Sequence, residues 1–588
     1  MKTTILLRGL CACLLTLLTL PVASAAQSDE KPNVVLILID DLGHYGVTAY
    51  GANQIGQYKG AFEDRTFATP NIDRIAANGL RCDNAFAYPL CEPTRIALMS
   101  GQYNSRDFLR PKSQHESEIT FGDTFKKAGY ATGIFGKWKQ SRGTAEVPGK
   151  NYITRFGWDE HCCFDVVTAG QRYINPDLVI NGEIENYKGR KDLDPATGRR
   201  WYGPDICNRM ALDFISAHKD EPFFLYYPMI LVHDEHKPTP DTVPHSLFDS
   251  VDESMKVDQQ EFFPDMIAYM DKLIGKVVAR LEAEGLLENT LLIVIGDNGT
   301  KENFVHILPD GTRYPGGKGA TQENGLHVPL VMSWPGKIPT DSSGQYRAYD
   351  GLVDVTDIYP TISEAVGVPL PPQPKLDGIS FWKQAAGAPG EARDVIYTWY
   401  NGNHKADDLA DLRRYAFNKN FKRYAPHPKF PKGRFFDLRK DRLEQSGEKS
   451  VKISYFHTEH SGLDLDQLDE TQRAAYEMLG EVIDAHAIVP VSSIEITQQE
   501  LRLKKGATAQ LEHTISPGNA TRRNVIWESS DSSVATVDKF GVVTGKSPGS
   551  ARVTMFSWDD ASPRSDGKGL SYRREGLSDS VLVEVLEK

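Results

Sequence analysis

The sequence predicts an α/β protein: a mixed, largely parallel sheet sandwiched by helices, then a smaller α+β subdomain, then a C-terminal all-β sandwich. Three observations carry this reading. Short apolar runs that end in polar residues alternate with amphipathic helical stretches through the first part of the chain. From about residue 378 the segments become shorter and more polar. After residue 488, apolar and polar positions alternate between Gly, Pro, Ser and Asp turns. A length of 588 residues exceeds what one hydrophobic core usually supports, which agrees with several units.

The first 26 residues read as a secretory signal. Lys2 and Arg8 supply its positive end, residues 10–20 its apolar run, and Ala23-Ser24-Ala25 a small-residue cleavage site. A mature protein exported to the periplasm or beyond is expected. The apolar run continues past Cys13, which argues against lipidation there. Residues 31–41 (KPNVVLILIDD) read as a buried strand with carboxylates at its C-terminal end, where open α/β sheets place their sites. Helical patterns follow at 71–78 and 119–128, and a short strand at 132–135. The runs 223–227 and 290–295 repeat the strand pattern around an amphipathic helix at 264–284. These elements belong to a unit expected at 27–377. A subdomain at 378–487 holds 415–424, 434–438 and a helix at 471–485. A sandwich at 488–588 begins with strands at 493–497, 509–515 and 524–529, with 558–574 read as a long loop.

A formal charge of −12 argues against general affinity for nucleic acid or for polyanions, so an anionic substrate needs a local cluster of positive groups. Beyond the N-terminus no run approaches the roughly 20 apolar residues of a membrane span, and no stable membrane insertion is expected. Of seven cysteines two lie in the signal, leaving Cys82, Cys91, Cys162, Cys163 and Cys207. An odd count in an oxidising compartment points to a reactive or altered thiol. Adjacent Cys162 and Cys163 are poorly placed to bridge one another.

Cys91 has the context for such a role. In Cys91-Glu92-Pro93-Thr94-Arg95, proline soon after the cysteine and the apolar run beyond put the thiol near a helix N-terminus, where free N–H groups favour an anion. These five residues match C-x-[PA]-[ST]-R, the signature of the type I sulfatases, in the alkaline-phosphatase-like superfamily. Ser100-Gly101-Gln102-Tyr103 resembles that family's T-G-R-Y element. The resemblance runs over roughly residues 31–445. It implies that a maturase oxidises Cys91 to formylglycine, whose hydrated aldehyde attacks the sulfur of a sulfate ester.

The resemblance also implies one calcium ion on Asp40, Asp41, Asp297 and Asn298, with position 91 completing the shell. By themselves, two acids closing a strand and an Asp-Asn-Gly turn are ordinary solvated features. Arg95 comes with the signature, and Gly136-Lys137-Trp138 and Gly316-Gly317-Lys318-Gly319 match the family's G-K-W-H and G-G-K-G, giving Lys137 and Lys318 for the sulfate. Lys139 stands where the family has histidine; it can donate to an ester oxygen but is a poorer proton shuttle near neutral pH. His233 matches the histidine of a P-H pair and is expected as general acid. His236 and His404 are expected to contact substrate.

The sandwich resembles the bacterial immunoglobulin-like group 2 domain in Val525-Ile526-Trp527-Glu528-Ser529-Ser530, Val534-Ala535-Thr536-Val537-Asp538 and Gly541-Val542-Val543-Thr544-Gly545. It is expected to act as a spacer or a weak glycan or surface contact. Export and an aromatic-rich body suit a sulfated polysaccharide such as a carrageenan, ulvan, fucan or glycosaminoglycan. Specificity is expected from loops at 158–165, 234–240 and 399–408. A phosphonate or phosphate ester hydrolase of the same superfamily, and a non-catalytic glycan-binding protein, are the alternatives.

Overall fold

A computed structural model describes residues 31–587 apart from 59, 61–62, 109–113, 142–148, 168–170, 253–257, 344–345, 403–410, 455 and 564–569. The expected signal lies outside the described residues.

Asn33–Ile39 is buried at every position, as a central strand covered on both faces must be. Its side chains alternate: Val35, Ile37 and Ile39 enter one core, and Val34, Leu36 and Leu38 the other. Around it a ten-stranded sheet runs in the order Ala348–Asp354, Leu80–Phe86, Leu330–Ser333, Thr290–Gly296, Asn33–Ile39, Phe223–Pro228, Ala131–Lys137, Glu160–Phe164, Asp177–Ile180 and Glu183–Asn186. The strands from Thr290–Gly296 to Glu160–Phe164 are parallel, and antiparallel strands flank them on both sides. Helices Gly203–Ala217 and Phe263–Ala283 cover one face; Cys91–Ser100, Phe121–Lys127 and Ile358–Val366 cover the other.

The smaller subdomain is a four-stranded antiparallel sheet of Ile396–Asn401, Leu412–Phe417, Phe421–Tyr424 and Arg434–Asp437. Helix Glu470–Ala485 starts on a capping box at Asp469 and Gln472 and buries Leu479 and Ile483 against Phe421 and Phe435. The C-terminal strands form a β-sandwich around Val543, Val553, Met555 and Val583.

Three expectations need correction. Residues 399–401 of the expected loop at 399–408 belong to strand Ile396–Asn401, with Trp399 and Tyr400 buried. The stretch at 158–165 is not a loop: Glu160–Phe164 is an interior strand and Trp158 is fully buried against Tyr226. The stretch at 558–574 continues two paired strands, Gly549–Pro563 and Leu570–Leu586, as a ribbon with Pro563 opposite Leu570. Among the described residues no helix is long and apolar enough to cross a membrane.

One glycine sets how closely the site-bearing strands approach. Gly136 has φ 138°, and a Cβ there would lie 1.9 Å from the carbonyl oxygen of Pro228. Gly136→Ala is therefore expected to destabilise the fold by at least about 2 kcal/mol, because positive φ and a backbone clash add. Chemical denaturation checks this, and an unchanged midpoint would contradict it.

Candidate active site

The parallel register of Asn33–Ile39 with Thr290–Gly296 sets Ile39 beside Gly296, so the residues that follow each strand emerge side by side. The Asp297 amide donates to the Ile39 carbonyl at 3.0 Å, and the Asp41 amide donates to Asp297 Oδ1 at 3.0 Å. Asp41 takes φ 60°, an uncommon conformation for a residue with a Cβ, and so turns its carboxylate into this junction. Oxygens of Asp40, Asp41 and Asp297 lie within 4.8 Å of one another, all three side chains buried. Asn298 Nδ2 donates to Asp41 Oδ1 at 2.9 Å, while its buried Oδ1 has no hydrogen-bond partner.

Three cations from three other elements close on this acidic knot. Lys137, at the end of Ala131–Lys137, reaches both oxygens of Asp40 at 2.8 and 2.7 Å. Arg95, one turn into helix Cys91–Ser100, donates from Nη2 to Asp297 Oδ2 at 2.7 Å and lies 3.4 Å from Asp40. Lys318 bonds to Asp41. Burial would raise the Asp40 carboxyl, but Lys137, His233 and Arg95 together hold it well below its usual range. Asp41 likewise falls to about 2 against burial, drawn down by His233 and Lys318. Asp297 moves the other way: burial and the charge of Asp40 push it up despite Arg95. A buried carboxylate crowded by like charge is what a cation would relieve. The all-oxygen set, with an unpartnered amide oxygen among it, fits a hard cation such as calcium.

Cys91 begins its helix and is nearly fully buried. Its Sγ, an oxygen of Asp40 and a ring nitrogen of His233 lie within 4.8 Å of one another, and Lys139 Nζ stands 3.5 Å from the sulfur. Burial raises the thiol, yet Lys137 and Lys139 bring it below its ordinary value. Lys139 is itself held up, first by Cys91, and its φ of 60° bends the chain so that its ammonium faces the thiol. His233 Nε2 lies 3.2 Å from Lys318 Nζ, and its Nδ1 lies 2.5 Å from a carboxylate oxygen of Asp234. Burial lowers the imidazole to about 4, against the pull of Asp41, so it is neutral near pH 7.

Ten of the twelve expected site residues thus meet at one place: Asp40, Asp41, Cys91, Arg95, Lys137, Lys139, His233, Asp297, Asn298 and Lys318. Arg95 has no exposed surface, and its guanidinium faces the carboxylates of Asp297 and Asp40. His236 does not join them. It is 1% exposed, packs edge-on against Phe263 and Phe304 and bonds through Nδ1 to Asp258 at 2.6 Å, so it supports the wall and presents no surface to substrate. His404 lies outside the described residues.

Four residues here carry no motif signal. Arg172 stands beside the His233 ring, Asp234 backs the imidazole at Nδ1, and Lys301 bridges Asp234 at 3.0 Å and Asp258 at 2.8 Å. Only the nearness of Asp234 to His233 in sequence could have suggested one of them.

Residues 490–563 match the bacterial Ig-like domain (group 2), and residues 32–368 match the family model Sulfatase. An N-acetylgalactosamine-6-O-sulfatase of Bacteroides thetaiotaomicron is 27% identical over 443 residues, spanning 63% of this chain and 79% of that protein. An arylsulfatase of Hemicentrotus pulcherrimus is 29% identical over 378 residues, spanning 60% of this chain and 61% of that one. Ps i-CgsB in complex with k-i-k-neocarrahexaose shares the fold, with TM-score 0.57 at 21% identity over 77% of this chain and 92% of that one. The family match takes in every strand and loop that supplies the cluster, and the chain belongs to the sulfatase family of sulfuric ester hydrolases.

Proposed function

We propose that this chain removes sulfate from a sulfated polysaccharide or oligosaccharide, with formylglycine made from Cys91 as the nucleophile and one calcium ion on Asp40, Asp41, Asp297 and Asn298. The observation that carries the reading is the position of Cys91: its sulfur sits at the rim of the carboxylate knot and faces Lys139 at 3.5 Å. Oxidation of Cys91 would supply an aldehyde whose hydrate is nucleophilic, and calcium would supply positive charge at the sulfate oxygens. Export and encounter with a formylglycine-generating maturase belong to the same reading.

The remaining roles fall to the chain's own side chains. Lys139 and Lys318 point cationic groups at the rim and orient the sulfate. Lys137 and Arg95 offset the buried carboxylates and hold their geometry. Asp234 fixes the His233 ring from behind, leaving Nε2 beside Lys318 Nζ. The negative charge of a bound sulfate would favour the protonated imidazole, and the pair is then placed to deliver a proton to the departing alkoxide, which a sugar needs more than a phenol does. A carbohydrate substrate is supported by the relative named N-acetylgalactosamine-6-O-sulfatase and by the neocarrahexaose complex.

Matured protein incubated with sulfated oligosaccharides, an aryl sulfate and an aryl phosphate is expected to release sulfate, and Cys91→Ala to release none. Phosphate alone, or sulfate release that survives in Cys91→Ala, would overturn the reading. His233→Ala is expected to slow a sulfated sugar by about 10²–10³ in kcat, and 4-nitrophenyl sulfate by less than about tenfold. Equal losses on the two substrates would remove His233 as the proton donor.

A further inference from the structure

Among the described residues, Tyr58 and Phe456 are the two aromatics that stand with the exposed large hydrophobic side chains, at 56% and 37% exposure. They lie 398 residues apart in sequence, yet their rings meet edge to face with centroids 6.2 Å apart. Two adjoining exposed rings offer an apolar surface that the C–H face of a ligand can cover.

The segments that carry the two rings are both linked to the Lys318 and His233 side of the site. Phe456 precedes His457 near the tip of the hairpin Ser450–Lys452 and Thr458–His460, which leaves the smaller subdomain. His457 Nε2 donates to the Lys318 carbonyl at 3.0 Å, and Gln322 Nε2 donates to the Thr458 carbonyl at 3.1 Å, so the hairpin is pinned to the Lys318 loop. On the other side, the Tyr58 amide donates to the Asn303 carbonyl at 2.8 Å, which anchors it to the segment following Asn298. Its neighbour Gln57 bonds to Gln260, Gln260 to Asp258 at 3.0 Å, Asp258 to Lys301, and Lys301 to Asp234 behind His233. The two routes meet at His233 and Lys318, 3.2 Å apart. The aromatic pair and a row of amide, carboxylate and ammonium groups therefore lie on the Lys318 and Asp234 side of the site.

We propose that Tyr58 and Phe456 form an L-shaped aromatic platform against which a pyranose ring adjoining the sugar that carries the scissile sulfate packs. A pyranose presents an apolar C–H face and a rim of hydroxyls. The aromatic pair suits the face, and the Gln260, Asp258 and Lys301 row suits the rim. The platform rests on the proposed sulfated-glycan function and adds to it that a second sugar residue is bound. An oligosaccharide is then held at two points and an aryl sulfate at one.

The test compares Tyr58→Ala, Phe456→Ala and the double variant with the parent on chondroitin 6-sulfate and κ-carrageenan tetrasaccharides and on 4-nitrophenyl sulfate. For whichever tetrasaccharide is cleaved, KM is expected to rise about tenfold or more in the double variant, with kcat/KM for 4-nitrophenyl sulfate within about twofold. Tyr58→Phe is expected to restore the parent KM. Thermal melting confirms that each variant is folded. Saturation-transfer NMR on the Cys91→Ala background reads tetrasaccharide binding without turnover, so the platform is judged even if no sulfate is released. Binding lost with the two rings supports the platform, whereas missing sulfate release counts against the sulfatase reading alone. Unchanged tetrasaccharide KM and binding, equal losses on both substrate types, or no tetrasaccharide binding by the ring-intact protein would overturn it.

Discussion

Asp41 and Asp297 are 256 residues apart in the chain, and they share one buried point because two parallel strands are locked in register. Slipping that pairing by one residue would send every side chain of Asn33–Ile39 to the wrong face, exchanging the contents of two hydrophobic cores. The position of the carboxylates is thus set by apolar packing far larger in energy than any bond the carboxylates make. Acids are brought together where they would not assemble unaided, and the surrounding fold bears the cost.

That cost explains the cations. Three carboxylates out of water require compensation, and each partner comes from a different element: Lys137 from a strand end, Arg95 from a helix and Lys318 from a loop. Removing one partner of such a buried pair typically costs about 3–5 kcal/mol. Burial and the charge of Asp40 nonetheless push Asp297 up, while Asp40 is held down. The same field that lowers Asp40 and Asp41 acts on Cys91 at the helix N-terminus, so the thiol, the acids and the ammonium groups form one electrostatic unit. The sandwich stands apart from this unit. Lys539 donates to Asp123 and to the Glu118 carbonyl, Phe540 packs under Lys127, and Arg106 reaches the Thr521 carbonyl, so it is seated on the body beside helix Phe121–Lys127.

What the sequence made legible follows chain proximity. Cys91 with Arg95, Lys137 with Gly136 and Asp297 with Asn298 each sit within a few residues of a strand end or helix start, where backbone geometry dictates direction. Contacts between distant segments were legible only through family motifs. His236 looked like a site residue because it lies three positions after His233, but the chain turns between them and carries it under Phe263 and Phe304. The stretch at 158–165 looked like a loop because its polar ends hide an interior strand; the edge pairing with Asp177–Ile180 that buries it has no local signature. Arg172, Lys301 and Asp258 were invisible for the same reason: they matter through partners far along the chain.

The central claim is that strand register builds a calcium site from Asp40, Asp41, Asp297 and Asn298. Calorimetric titration of chelator-stripped protein with calcium tests it directly. The account predicts one ion per chain, with affinity reduced at least about tenfold in Asp297→Asn and in Asn298→Ala while both variants stay folded. No binding by the parent protein, or binding that neither substitution weakens, would contradict it.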